Sequence, residues 1–154
     1  MHRLLLLSTL TLASLSFAEP PAEVAKAQAL IEKDFLKPLA AKEEQRSSFS
    51  RARLPPQERR VRITDDAPKQ DAQGGAFYTF AIDARHGVDW MDEGEKNPWL
   101  EATITGCVYP ATGAIFVKSG AQHRPAAFML GKKVKPAEAQ VCTEAKPTQV
   151  AGVR

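Results

Sequence analysis

The chain has 154 residues and a formal charge of only +3. That is enough chain to bury one core, and too little net charge for a general nucleic-acid or membrane-surface binder. It carries neither a glycine-rich phosphate loop opening a helix nor a Gly-x-Ser-x-Gly nucleophile turn, so no motif supports nucleotide binding of that kind or serine hydrolysis.

The N-terminus, MHRLLLLSTLTLASLSFAEP, has the layout of a secretory leader. Arg3 supplies a positive start, Leu4 to Leu15 an apolar run, and Ser16-Phe17-Ala18 small residues at the cleavage positions. The run is shorter than the roughly 20 residues a bilayer requires. Residues 1–18 are therefore expected to be a signal peptide, leaving about 136 residues for a secreted or periplasmic product with no transmembrane segment. The single asparagine, Asn97, precedes a proline and is no glycosylation acceptor, which favours a bacterial setting. Cys107 and Cys142 form a minimal even pair, expected to be one disulfide in an oxidising compartment.

From Pro21 the spacing of Val24, Ala27, Ile31 and Phe35 predicts a helix with one apolar stripe. Pro20 and Pro21 suit its start, Glu23 complements its dipole, and Pro38 is expected to stop or kink it near Leu36. LAAKEEQRSS can carry it on for two further turns. Residues 19–45 thus form a helical segment.

Residues 46–142 hold an Arg-rich extended segment and an antiparallel sheet. Residues 46–62 contain six arginines, Arg46, Arg51, Arg53, Arg59, Arg60 and Arg62, against one acid, Glu58. Leu54-Pro55-Pro56 is extended, and from Arg60 strict alternation sets Val61 and Ile63 against Arg60, Arg62 and Thr64. That pattern predicts a half-buried edge strand. Residues 64–75 are polar and turn-rich. Residues 76–84, AFYTFAIDA, form a strand with Tyr78, Phe80, Ile82 and Ala84 on one face and Phe77, Thr79, Ala81 and Asp83 on the other. EATITGCVY and AIFVKS form a hairpin around Pro110-Ala111-Thr112-Gly113, where proline presets φ and Gly113 can take it positive. PAAFMLGKKV is expected to be a last short strand, His123 to lie in a surface turn, and residues 143–154 to be a mobile tail.

The fold class is α+β, with an N-terminal helix packed on a four- to five-stranded antiparallel sheet and stapled by one disulfide. In element order and in the Thr112-Gly113 hairpin the layout resembles the small cystatin-like and PepSY-like secreted domains. The resemblance implies a helix laid across a sheet and carries no functional residue.

Chemistry concentrates between residues 83 and 101, where six acids face only Arg85 and Lys96. The 85–99 loop carries Trp90 and Trp99, amphipathic side chains of the kind that anchor interfaces, although Trp99 beside Leu100 is expected in the core. His86, Asp89 and Asp92 are weak metal candidates, since neither a calcium-loop alternation nor a zinc ligand set is present. Asp92 with Glu101 is a weak glycosidase-like pair, and Asp89, Asp92 or His86 could serve an acid-dependent hydrolase. No catalytic residue or cofactor is implied. The alternatives left open are a structural envelope protein, that hydrolase, and a non-catalytic binding module, which the residues favour. Its contact set would be Trp90, Asp89, Asp92, Arg51, Arg53, Arg60 and Arg62. An envelope protein or an anionic envelope component would be its partner, with nucleic acid excluded by the lack of aromatics among the arginines. Arginine forks favour fixed contacts over diffuse attraction, and for most of these arginines internal pairing with the 83–101 acids is expected, capture of an anionic partner being the alternative use of the same charge.

Overall fold

A computed structural model describes residues 21–47, 56–86, 99–135 and 141–145. One long helical arm comes first: α1 (Ala22–Ile31), a π-helical turn (Glu32–Leu36) and α2 (Lys37–Ser47). Six strands follow: β1 (Pro56–Ile63), β2 (Lys69–Gln70), β3 (Ala76–His86), β4 (Leu100–Tyr109), β5 (Ala114–Ser119) and β6 (Gln122–Pro125). A single helical turn, α3 (Ala126–Met129), closes the described core.

Pro38 does not stop the helix. Its missing N–H and its ring both conflict with the carbonyl four residues back, at Asp34. The helix widens there: the Lys37 N–H reaches the carbonyl of Glu32, five residues away. The wide turn also keeps the stripe aligned. Ala27, Ile31, Phe35 and Leu39 recur every four residues, a spacing that drifts about 40° per step in a regular α-helix. One wider turn offsets part of that drift, and all four side chains remain buried.

The sheet is antiparallel throughout, in the order β1-β3-β4-β5-β6, with the two-residue β2 also paired to β3. β2 sits inside a stretch expected to be pure loop. The helix packs on one face, where Val24, Ala27, Ile31, Phe35 and Leu39 meet Val61, Phe80, Ile82, Val108 and Val117. Gly106 lets that face close: a Cβ there would stand 2.1 Å from the Phe116 carbonyl oxygen and 2.8 Å from the Phe80 ring. The β4–β5 hairpin turns as expected, with the Gly113 N–H donating to Tyr109 O at 2.8 Å and Gly113 at φ 72.

The expected strand over PAAFMLGKKV is replaced. The last strand lies earlier, at Gln122–Pro125, and places half-buried His123 on a strand instead of a turn. Pro125 then opens the helical turn Ala126–Met129, whose Ala, Phe and Met residues have no β-branching to hold them extended. Val134 ends up exposed.

On the opposite face, Cys107 and Cys142 are joined. The bond sits among Phe77, Tyr109 and Phe116. The Tyr109 hydroxyl accepts the Cys142 N–H at 3.0 Å and donates to Asp71. Glu144 bridges Asp71, and the Ala145 N–H donates to Gln70 O at 2.8 Å, so the first residues past Cys142 are tied to the β2 region. Among the described residues no helix is long and apolar enough to cross a membrane.

Candidate functional site

The same face carries a polar cluster at its other end, built by strand alternation. Asp83 shares a face of β3 with Ala81 and Arg85, and its register partner on β1 is Arg60, with Arg62 two positions on. Asp83 is fully buried. It accepts the Arg60 Nε–H at 2.9 Å, an Arg62 terminal N–H at 3.4 Å and the Ala102 backbone N–H at 2.9 Å. The Ala102 N–H is the strongest influence holding the Asp83 carboxyl down, to a pKa of about 2. Burial opposes it, and the two guanidiniums assist.

Asp83 also organises an irregularity in the sheet. Ile82 pairs with Ile104 and Ala84 with Leu100, so three residues of β4 stand opposite Asp83 alone. Ala102 lies in this bulge with φ 50, a left-handed conformation that a non-glycine residue adopts only when its surroundings hold it. Asp83 and the Thr103 hydroxyl, which donates to Ile82 O at 2.8 Å, supply that hold.

Just before the bulge comes Trp99. It is not a core residue: it is half-buried on the polar face, with the Arg60 guanidinium carbon 4.5 Å and that of Arg85 5.4 Å from its ring centroid. Arg85 is fixed in turn by Glu58 at 2.6 Å. Three guanidiniums therefore share one indole and two carboxylates. Arg60 is anchored through Nε, and among the described residues its two terminal nitrogens donate to no partner. The side chains of Arg60 and Arg62 each remain 49% exposed. An anchored, half-exposed arginine fork suits a carboxylate or phosphate oxygen pair.

The remaining sequence candidates divide. Arg60 and Arg62 are brought together on Asp83, and Arg59 turns to the other face to pair with Glu43 of α2. Arg51, Arg53, Asp89, Trp90 and Asp92 lie outside the described residues, as do residues 1–18, expected to be a signal peptide, and residues 146–154 of the expected tail. His86 ends β3, paired through its backbone with Pro56. Glu101 is exposed on β4, well placed for solvent and without Asp92 to judge it against. Among the described residues no group of three His, Cys, Asp or Glu side chains is arranged to hold a metal.

A separate cavity of about 780 Å³ opens beside β2, lined by Asp65, Asp66, Lys69, Gln70 and Glu144 among others. Asp65 is committed there to the Thr79 hydroxyl and to Lys69 at 3.3 Å, and Thr79 above all holds its carboxyl below the usual range.

Sequence reasoning set the arginines of this strand against the 83–101 acids, Asp83 among them, but did not join Arg85 and Trp99 to them in one site. The signal was present in two alternations: Arg60 and Arg62 on one strand, Ala81 and Asp83 on another. Only the register, which sequence does not give, puts them opposite. Comparison with protein-family models, with curated proteins and with solved structures returned no match.

Proposed function

We propose that the protein is an exported, non-catalytic binding domain whose polar sheet face captures an anionic partner of the cell envelope. The observation that carries this reading is the anchoring of Arg60 by a fully buried carboxylate through Nε while its terminal fork stays half in water beside Trp99. An arginine needed only to neutralise Asp83 would gain more from two parallel N–H bonds to it than from the single Nε–H bond it makes. Export is supported by the leader-like N-terminus and by the paired cysteines.

The test is a titration with polyglutamate, followed by the fluorescence of Trp99 in a Trp90→Phe background. Binding should shift the Trp99 emission and weaken steeply as salt shortens the screening length from about 30 Å at 0.01 M to about 8 Å at 0.15 M. Saturable binding lost in Arg60→Gln supports the reading. No emission change at low salt, or binding indifferent to salt, contradicts it.

A further inference from the structure

The two edges of the sheet are not alike. β6 is four residues long and runs through Pro125 directly into α3, which blunts it. β1 is eight residues long, and among the described residues no strand pairs with its outer side.

The register says which backbone groups that edge presents. The Thr64 N–H donates to Thr79 O at 3.0 Å, so Thr64 and Thr79 are a hydrogen-bonded pair. Antiparallel ladders alternate such pairs with pairs whose groups point away. Arg62 opposite Ala81 and Arg60 opposite Asp83 therefore turn their N–H and C=O toward β3. Arg59, Val61 and Ile63 turn theirs outward, where a further strand would find them. Side chains follow the complementary alternation: Arg60 and Arg62 stand on the polar face, Val61 and Ile63 on the helix face.

We propose that β1 receives an extended acidic peptide of a partner protein as an added edge strand, with Asp or Glu at alternate positions beside Arg60 and Arg62 and apolar residues between them beside Val61 and Ile63. This rests on the anion-binding reading above and narrows its ligand. Charge selects the occupant. Cβ atoms directly across a strand pair stand about 5 Å apart, so acids there lie beside the half-exposed side chains of Arg60 and Arg62, whereas a second copy of β1 would set arginine against arginine. Main-chain bonds to Val61 and Ile63 give affinity, and the alternating side chains give specificity.

The probe is a soluble ten-residue peptide alternating Glu and Val. It is compared with a block isomer of the same composition, a Lys-Val version, and a version N-methylated at the residues that would bond Val61. Backbone amide exchange in the purified protein gives the main readout. Exchange at Val61 and Ile63 should slow by at least about tenfold at saturation, and the methylated peptide should bind about tenfold more weakly, as expected for one or two lost main-chain hydrogen bonds. The Lys-Val peptide should not bind. Equal binding by the alternating and block peptides without amide protection overturns strand addition and leaves the anion-binding face standing. No binding by any acidic peptide overturns both. A concentration-dependent dimer that protects Val61 and Ile63 without peptide makes β1 a self-association edge and overturns the acidic-peptide assignment.

Discussion

On the helix side of the sheet, Phe35, Phe80 and Ile82 are sealed from solvent among apolar neighbours; on the other side, at the end away from the disulfide, the most deeply buried charged side chain among the described residues is a carboxylate, Asp83, lying under arginines that stay half in water. The first face draws its stability from removing apolar area from water. The second gains far less by burial, because a sealed carboxylate must recover its hydration through three donors. Cores do not need such an arrangement: apolar side chains of similar volume often stabilise as well as or better than a buried ion pair. The difference teaches that the helix face is held by apolar packing, whereas the Asp83 end of the other face is held by charge-assisted hydrogen bonds.

Substitutions on the two faces should separate these roles. The largest effect is expected at Phe35→Ala, which empties the centre of the helix face and should cost about 3–5 kcal/mol in denaturant unfolding. A smaller cost there would mean the helix arm is only loosely docked. Replacing both Cys107 and Cys142 with serine should cost about 3–4 kcal/mol on chain entropy for a separation of 35 residues. Amide exchange should then quicken around 141–145 and β2, which the bond ties together, and stay unchanged in α1.

Asp83→Asn comes next, at about 1–3 kcal/mol near neutral pH, because one charged acceptor of three donors is lost while the exposed arginines rehydrate. Its pH dependence is specific. The folded pKa of about 2 lies below the 3.8 usual for an aspartate, so the stabilisation is complete above roughly pH 5 and disappears as pH falls through 2. Unfolding measured from pH 5 down to 2 should therefore show a steeper loss in the native protein than in the Asn variant; parallel curves would mean that Asp83 is not held ionised by its donors. The smallest effect belongs to Arg62→Gln, whose contact to Asp83 is long at 3.4 Å and half-exposed. Its stability should change by no more than about 1 kcal/mol, while anion binding weakens.

Much of the helix face was legible in the sequence because each of its elements has its own period. Val24, Ala27, Ile31 and Phe35 mark a helix, and Tyr78, Phe80 and Ile82 mark a strand face, without reference to anything distant. At Pro38 the expected disturbance near Leu36 takes the form of a local widening, and the helix continues through LAAKEEQRS as its composition allows. The strand expected after Pro125 failed for a similar local reason: four helix-compatible residues after a proline curl when no neighbouring strand holds them extended. The polar face was less legible because its members lie far apart in sequence. Arg60, Asp83 and Trp99 meet through a strand register and a bulge at Ala102, and neither leaves a local mark. Trp99 in particular resembled a core residue by its neighbour Leu100, yet Leu100 itself is exposed.

Arg60→Lys tests most directly whether this face is built for recognition, because it keeps the charge and removes the anchored fork. Polyglutamate affinity and the melting curve would be measured together in low salt. The expected result is an affinity lowered about tenfold, the loss of one charge-assisted hydrogen bond, with a smaller drop in melting temperature than Asp83→Asn shows, because an ammonium in place of Nε still donates to the carboxylate. Unchanged affinity in the lysine variant would contradict it, and would reduce the arginines of β1 to diffuse surface charge.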